Sequence, residues 1–165
     1  MNLKLSLLIR NIKLRLLNFY PPFLFSGIRV SKISSDYRQV EVRLKLHFWN
    51  KNVVGTHFGG ALYAMTDPFF MLMYMKNLGD SYMVWDKSAR INFIKPGRGL
   101  VVAKFILTEA MIDLARQSAE NGAKYQPVHQ IDIVDEQGQV VSNIEKTIYI
   151  RRKRKLINAG GGKSY

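Results

Sequence analysis

The sequence predicts an α+β fold in which one long central helix is wrapped by a strongly curved antiparallel sheet. Three observations point to it. Residues 58 to 77 are almost continuously apolar, and Leu62, Met65, Phe69, Phe70, Met73 and Tyr74 spread round the whole helical circumference rather than along one stripe. The segments on either side alternate apolar and polar residues with a period of two, the pattern of strands with one buried face. No repeat or linker divides the 165 residues, so one domain has to wall in that helix.

Residues 3 to 20, LKLSLLIRNIKLRLLNFY, place Lys4, Arg10, Lys13 and Arg15 among leucines and stop at Pro21 and Pro22. The basic residues exclude a signal-peptide core, and the stretch is too short and too charged to span a bilayer. Residues 1 to 25 are therefore expected to form an amphipathic helix, either packed across the domain's own core or lying in an anionic membrane interface. The body is expected to run from 26 to 152. Val40, Val42, Leu44, Leu46 and Phe48 alternate with Gln39, Glu41, Arg43, Lys45 and His47 as a half-buried strand, with residues 28 to 34 as hairpin partner across Ser35 and Asp36. The central helix follows over 58 to 77, ending near Lys76 and Gly79. Pro68 cannot donate to the carbonyl of Ala64, so a bend is expected between those residues. Strands are expected at 84 to 94 and 100 to 107 around the turn 95 to 99, then a helix over 109 to 121 capped by Thr108. Strands at 127 to 134 and 139 to 150 flank a loop at 135 to 138, and residues 153 to 165 read as a basic, disordered tail. A helix apolar on every side needs a wall on every side, and one curved sheet plus a second copy of the domain would supply it. This is the hotdog arrangement, in a homodimer or tetramer.

The net charge of +13 resembles a nucleic-acid signature until it is mapped. Residues 1 to 25 and 151 to 165 hold ten basic residues and no acid, whereas the body between them has fifteen basic and twelve acidic residues. The tails could give weak contact with an anionic membrane, and nothing in the body has the spacing of a groove reader, so no specific nucleic-acid partner is expected. With no cysteine there is neither disulfide framework nor thiolate chemistry, which fits a reducing cytoplasm. His47, His57 and His129 lack zinc spacing, and no metal or cofactor is expected. His47 and His129 read as exposed or satisfied in the core.

Chemistry is sought at Asp67, the single acid in the apolar run. A carboxylate there must be paired, hydrogen-bonded or protonated, and burial among Met and Phe would raise its pKa toward the range of a general base. Catalysis and structural hydrogen bonding both remain open for it. Upstream, Asn52, Gly55, His57, Phe58, Gly59 and Gly60 form a polar turn, and the two glycines leave the first helical amides unobstructed for an oxyanion. The Met and Phe stripe from 65 to 75 suits core packing and an acyl-chain pocket. Lys95 and Arg98 make a solvated turn or a phosphate contact.

Residues 52 to 67, NVVGTHFGGALYAMTD, resemble the Asn, Gly-Thr, His-Gly-Gly and Asp motif of hotdog thioesterases of the phenylacetyl-CoA type. NFYPPFLFSGIRV (18 to 30), FGGALYAMTDP (58 to 68) and VWDKSARINFIKPGRG (84 to 99) resemble more closely a bacterial branch of that superfamily of unknown function, also found fused to acetyltransferase domains. The resemblance implies hydrolysis of an acyl thioester of coenzyme A or an acyl carrier. Asp67 would be the catalytic acid, acting as base or nucleophile, Asn52 the residue that bonds the thioester oxygen or water, and Gly59 the amide that polarises the carbonyl. Gly55, His57, Phe58 and Gly60 would line the substrate site. Phe58 stands where those thioesterases have the motif histidine, and His57 is one place early. A non-catalytic acyl-binding or membrane-associated interaction protein is the alternative implied by that departure.

Overall fold

The computed structural model describes residues 16 to 153. The amphipathic helix expected over 1 to 25 and the tail expected over 153 to 165 therefore lie mostly outside the described residues. The chain builds helix α1 (Pro21–Ser26), strands β1 (Ile28–Ile33) and β2 (Gln39–Lys45), helices α2 (Gly59–Ala64) and α3 (Phe69–Leu78), and strands β3 (Tyr82–Phe93) and β4 (Leu100–Ile106). Helix α4 (Glu109–Ser118) and strands β5 (Val128–Asp135) and β6 (Val140–Arg152) complete it. The six strands form one sheet in the order β1-β2-β4-β5-β6-β3, with every neighbouring pair antiparallel.

Period-two alternation sets the inner face of this sheet. Val40, Val42 and Leu44 on β2, Val101, Ala103 and Phe105 on β4, and Ile131 and Ile133 on β5 are all buried. They close on Phe69, Phe70, Met73 and Tyr74 of α3, so the helix lies against the sheet as the apolar run requires. Phe69 sits at the centre, its ring centroid 5.0 Å from that of Phe105 and 6.0 Å from that of Phe23. Wrapping is incomplete in the single chain, because Met75 is 46% exposed and Lys76 is exposed beside it.

Three boundaries differ from expectation, each for a local reason. The central helix is broken rather than bent: residues 65 to 68 form a turn between α2 and α3, so neither reaches the length expected over 58 to 77. Besides the missing Pro68 amide, Thr66 Oγ1 donates to the Tyr63 carbonyl at 2.8 Å, while the Thr66 and Asp67 amides donate to Tyr63 and Ala64. These i to i−3 bonds tighten the turn and end α2. Strand β2 stops at Lys45 because the Asn50 side chain takes over the backbone groups that would continue it: Nδ2 donates to the Lys45 carbonyl at 2.9 Å and Oδ1 accepts from the His47 amide at 2.7 Å. Pro21 and Pro22 begin α1 instead of only ending what precedes them, since the first helical turn has no use for their missing amides. Thr108 caps α4 as expected, accepting from the Met111 amide at 3.3 Å.

No helix among the described residues is long and apolar enough to cross a membrane.

His129 is buried in the middle of this core. Its ring stacks on Phe70 with centroids 4.0 Å apart, and its Nε2 lies 3.2 Å from the Tyr74 hydroxyl. Burial pushes its pKa down to about 4 from the usual 6.5. Between those two values the unfolded chain binds the proton and the folded one does not, so the stability due to the neutral ring is complete above pH 6.5 and lost as the pH falls to about 4. The shift corresponds to about 3 kcal/mol. Urea titrations at pH 7 and pH 4.5 should show the wild type losing more stability than His129→Phe, which keeps the stacking and cannot titrate. Equal losses would assign the pH dependence to other groups, His57 among them.

Candidate active site

Strand β6 brings an unexpected residue to the core. Ile144, Ile148 and Ile150 point inward, and Lys146 occupies the same face, its side chain fully buried. A buried ammonium needs anionic partners, and it has two. Nζ lies 2.9 Å from Asp67 Oδ1 and 3.2 Å from Asp86 Oδ2 on β3, and it also donates to the main-chain carbonyl of Asp67. The Tyr63 hydroxyl adds a second hydrogen bond to Asp67 Oδ1 at 2.9 Å.

Asp67 is accordingly not the enclosed acid that the apolar run implies. It stands at the break between α2 and α3 with its side chain 47% exposed in the single chain. Oδ1 is held by Lys146 and Tyr63, and no donor among the described residues reaches Oδ2. The carboxyl that burial does push upward is that of Asp86, against the opposing pull of Lys146, and Asp86 Oδ1 is buried without a hydrogen-bond partner. Burial, with the hydrogen bond to Asp67, raises the pKa of the Tyr63 hydroxyl to about 12, so it stays a donor.

The polar turn forms a separate cleft of 360 Å³, which Asn52, His57 and Gly59 line together with Phe93 and residues 94 to 97. Asp67, Gly55, Phe58 and Gly60 do not line it. Asn52 builds the turn: its Oδ1 accepts from the amides of Val54 and Thr56 at 3.1 and 3.0 Å, and its Nδ2 donates to Thr56 Oγ1 at 2.9 Å. Its amide is thus engaged within the loop. His57 is buried, with Nε2 3.1 Å from the Gly99 carbonyl. Since a carbonyl only accepts, Nε2 carries the proton, and Nδ1 is left buried without a partner. Burial holds this imidazole below its usual pKa.

The two glycines have a packing reason beside the chemical one. A Cβ on Gly59 would come within 2.9 Å of the Phe93 ring, and one on Gly60 within 2.4 Å of the Phe58 ring. Phe58 itself is 59% exposed. Helix α2 is under two turns long, so its dipole adds little to the Gly59 amide. Lys95 pairs with Asp135 at 2.5 Å, and that contact holds the Asp135 carboxyl below its ordinary range.

Sequence reasoning missed Lys146 and Asp86. A lysine in step with three inward isoleucines was the available signal. Its partner was not readable, because Asp67 lies 79 residues away.

Removing the cation should expose this dependence. Lys146→Met leaves the buried Asp86 uncompensated and should cost about 3 kcal/mol in chemical denaturation. Adding Asp86→Asn should restore part of that loss, whereas adding the half-exposed Asp67→Asn should restore less. Equal recovery from both would mean that the two carboxylates share Lys146 evenly.

Comparison with known proteins fits this architecture. No curated protein is significantly similar to the chain in sequence. A protein of unknown function from Pseudomonas aeruginosa, described as a probable thioesterase, superposes with a TM-score of 0.76 at 19% identity, over 93% of this chain and 97% of that one. A thioesterase from Haemophilus influenzae gives 0.61 at 17% identity, over 88% and 91% of the two chains. A protein of unknown function from Chlorobaculum tepidum gives 0.68 at 14%, over 87% and 94%. At such identities the likeness establishes the fold, a hotdog-like helix and antiparallel sheet. Residues 10 to 150 match the family described as Domain of unknown function (DUF4442), and the chain belongs to that family.

Proposed function

We propose that the protein hydrolyses an acyl thioester of coenzyme A or an acyl carrier, with Asp67 as its base. The supporting observation is the carboxylate itself: one oxygen is fixed by Lys146 and Tyr63, and the other has no donor among the described residues, on a half-exposed side chain at the helix break. Oδ2 would draw a proton from a water attacking the thioester carbon. The tetrahedral intermediate then expels the thiolate, which takes that proton back, giving acid and thiol. Tyr63 and Lys146 act as positioning residues, since both touch Asp67 alone on the reacting side.

A single chain does not offer the oxyanion donor beside this base. Gly59 opens α2 and Asp67 stands beyond its end, in the turn that leads to α3, so the two lie at opposite ends of that helix. We therefore propose a two-fold dimer in which Gly59 of one subunit, presented by the Asn52 turn, faces Asp67 of the other. The twelve-residue strand β3 supports it: β6 pairs with one edge, the other edge has no partner among the described residues, and Met83, Trp85 and Phe93 are exposed along it. A non-catalytic acyl-binding protein is the second reading, favoured by Phe58, whose ring packs over Gly60 at the motif histidine's position.

Purified protein should release free thiol from at least one of a panel of short, medium, aromatic and long acyl-CoA substrates. Asp67→Asn should lower kcat at least about 100-fold with the fold intact by circular dichroism. No turnover across the panel selects the non-catalytic reading. Refolding Asn52→Ala and Asp67→Asn chains together should then return roughly a quarter of wild-type activity, because about half the dimers are mixed and each rebuilds one site. No recovery in proven mixed dimers would place both residues in one subunit's site.

A further inference from the structure

A second cavity lies away from Asp67, between α3 and the β1–β2 hairpin. Its volume is 620 Å³, within the span of small-ligand sites. Leu72 and Met73 form one wall, Ile33 and Val40 the opposite one, and Leu17 closes the side. Lys76 is the only charged residue among the described residues lining it, and neither Asp67 nor any residue of the Asn52 cleft contributes. A space of this size walled by hydrocarbon offers water few polar partners and suits an apolar occupant.

The rim is built for an anion. Lys76 pairs with no carboxylate among the described residues, and its Nζ stands 5.8 Å from the centroid of the Tyr37 ring, which also lines the cavity. Asp36, the acid next to Tyr37 in sequence, is paired with Arg38 at 2.9 Å. Tyr37 reaches this position with φ +57, the only positive φ at a non-glycine residue in the described chain. A side chain in that region is strained, and strain of this kind gathers at ligand sites. The turn that holds it is fixed on both sides, Asn77 Nδ2 donating to the Asp36 carbonyl at 3.2 Å and Ser34 Oγ accepting from the Arg38 amide at 3.0 Å.

We propose that this cavity binds the alkyl chain of a fatty carboxylate, with the carboxylate against Lys76. The lining and the charge specify the class: one apolar space, one cation at its rim. Phe69, at the Asp67 end of the lining, is seven residues and about 10 Å from Lys76 along α3. A ligand held head-first at Lys76 thus keeps its carboxyl away from Asp67, and the site is independent of the hydrolysis proposed above.

The test uses the full-length protein and a fluorescent fatty acid displaced by unlabelled palmitate or by hexadecanol, which has the chain without the charge. Saturable one-site binding is expected, weakened at least tenfold by Leu72→Trp, which fills the cavity. Ile33→Phe fills it from the opposite wall and decides the matter if Leu72→Trp misfolds. Lys76→Glu should weaken palmitate at least tenfold and leave hexadecanol unchanged, and Asp67→Asn should change neither. Absence of saturable binding overturns the proposal, as it would if residues 3 to 15 of the chain occupied the cavity themselves. Binding that survives both filling variants, or a Lys76→Glu effect equal for both ligands, overturns it too.

Discussion

One ammonium group ties the helical layer to the sheet. Lys146 comes from β6, Asp86 from β3 and Asp67 from the break in the helix, and the three meet where apolar packing would otherwise be continuous. Stripping water from a lysine costs several kcal/mol, so this position is tolerable only with anions close by. That requirement fixes where the helix may break. Pro68 forbids a continuous helix, but it is the buried charge that demands an acid at position 67 and draws the turn down onto β6. The same contact orients the carboxylate, so a structural necessity and a chemical opportunity share one pair of atoms.

Strands β2, β4 and β5 were legible because each faces the core on one side only. Val40, Val42 and Leu44 are an instance: all three are buried as their spacing requires. Helix extent was less legible. The apolar run from 58 to 77 is continuous in composition, and what divides it is a set of short hydrogen bonds around Thr66 and Asp67 that composition does not encode. Strand β2 ended early for a similar reason, the side chain of Asn50 substituting for a neighbouring strand.

At the candidate site, residue types were legible and their surroundings were not. Asp67 stood out as an acid in an apolar stretch, yet its exposure and its ion pair depend on β6, far along the chain. Gly59 and Gly60 stood out as a pair, but the exposed rings that lie over them, Phe93 and Phe58, become evident only in three dimensions. Asn52 illustrates the limit of motif reading. Its amide is consumed by the loop it organises, so its importance to the site can be architectural without contact to a substrate.

The pairing of β3 with β6 also bears on how the chain is made. Strand β3 ends at Phe93, whereas its partner extends to Arg152, and eleven residue pairs join them from Tyr82↔Arg152 to Phe93↔Ser142. During synthesis at about 5 to 20 residues per second, β3 therefore waits several seconds outside the ribosome with neither edge satisfied. Hairpin β1–β2 can close locally in that interval, but β3 finds its partner only once β6 has emerged. A twelve-residue strand carrying Met83, Trp85 and Phe93 is then a nascent-chain hazard, open to mispairing with neighbouring polypeptides on the same polysome.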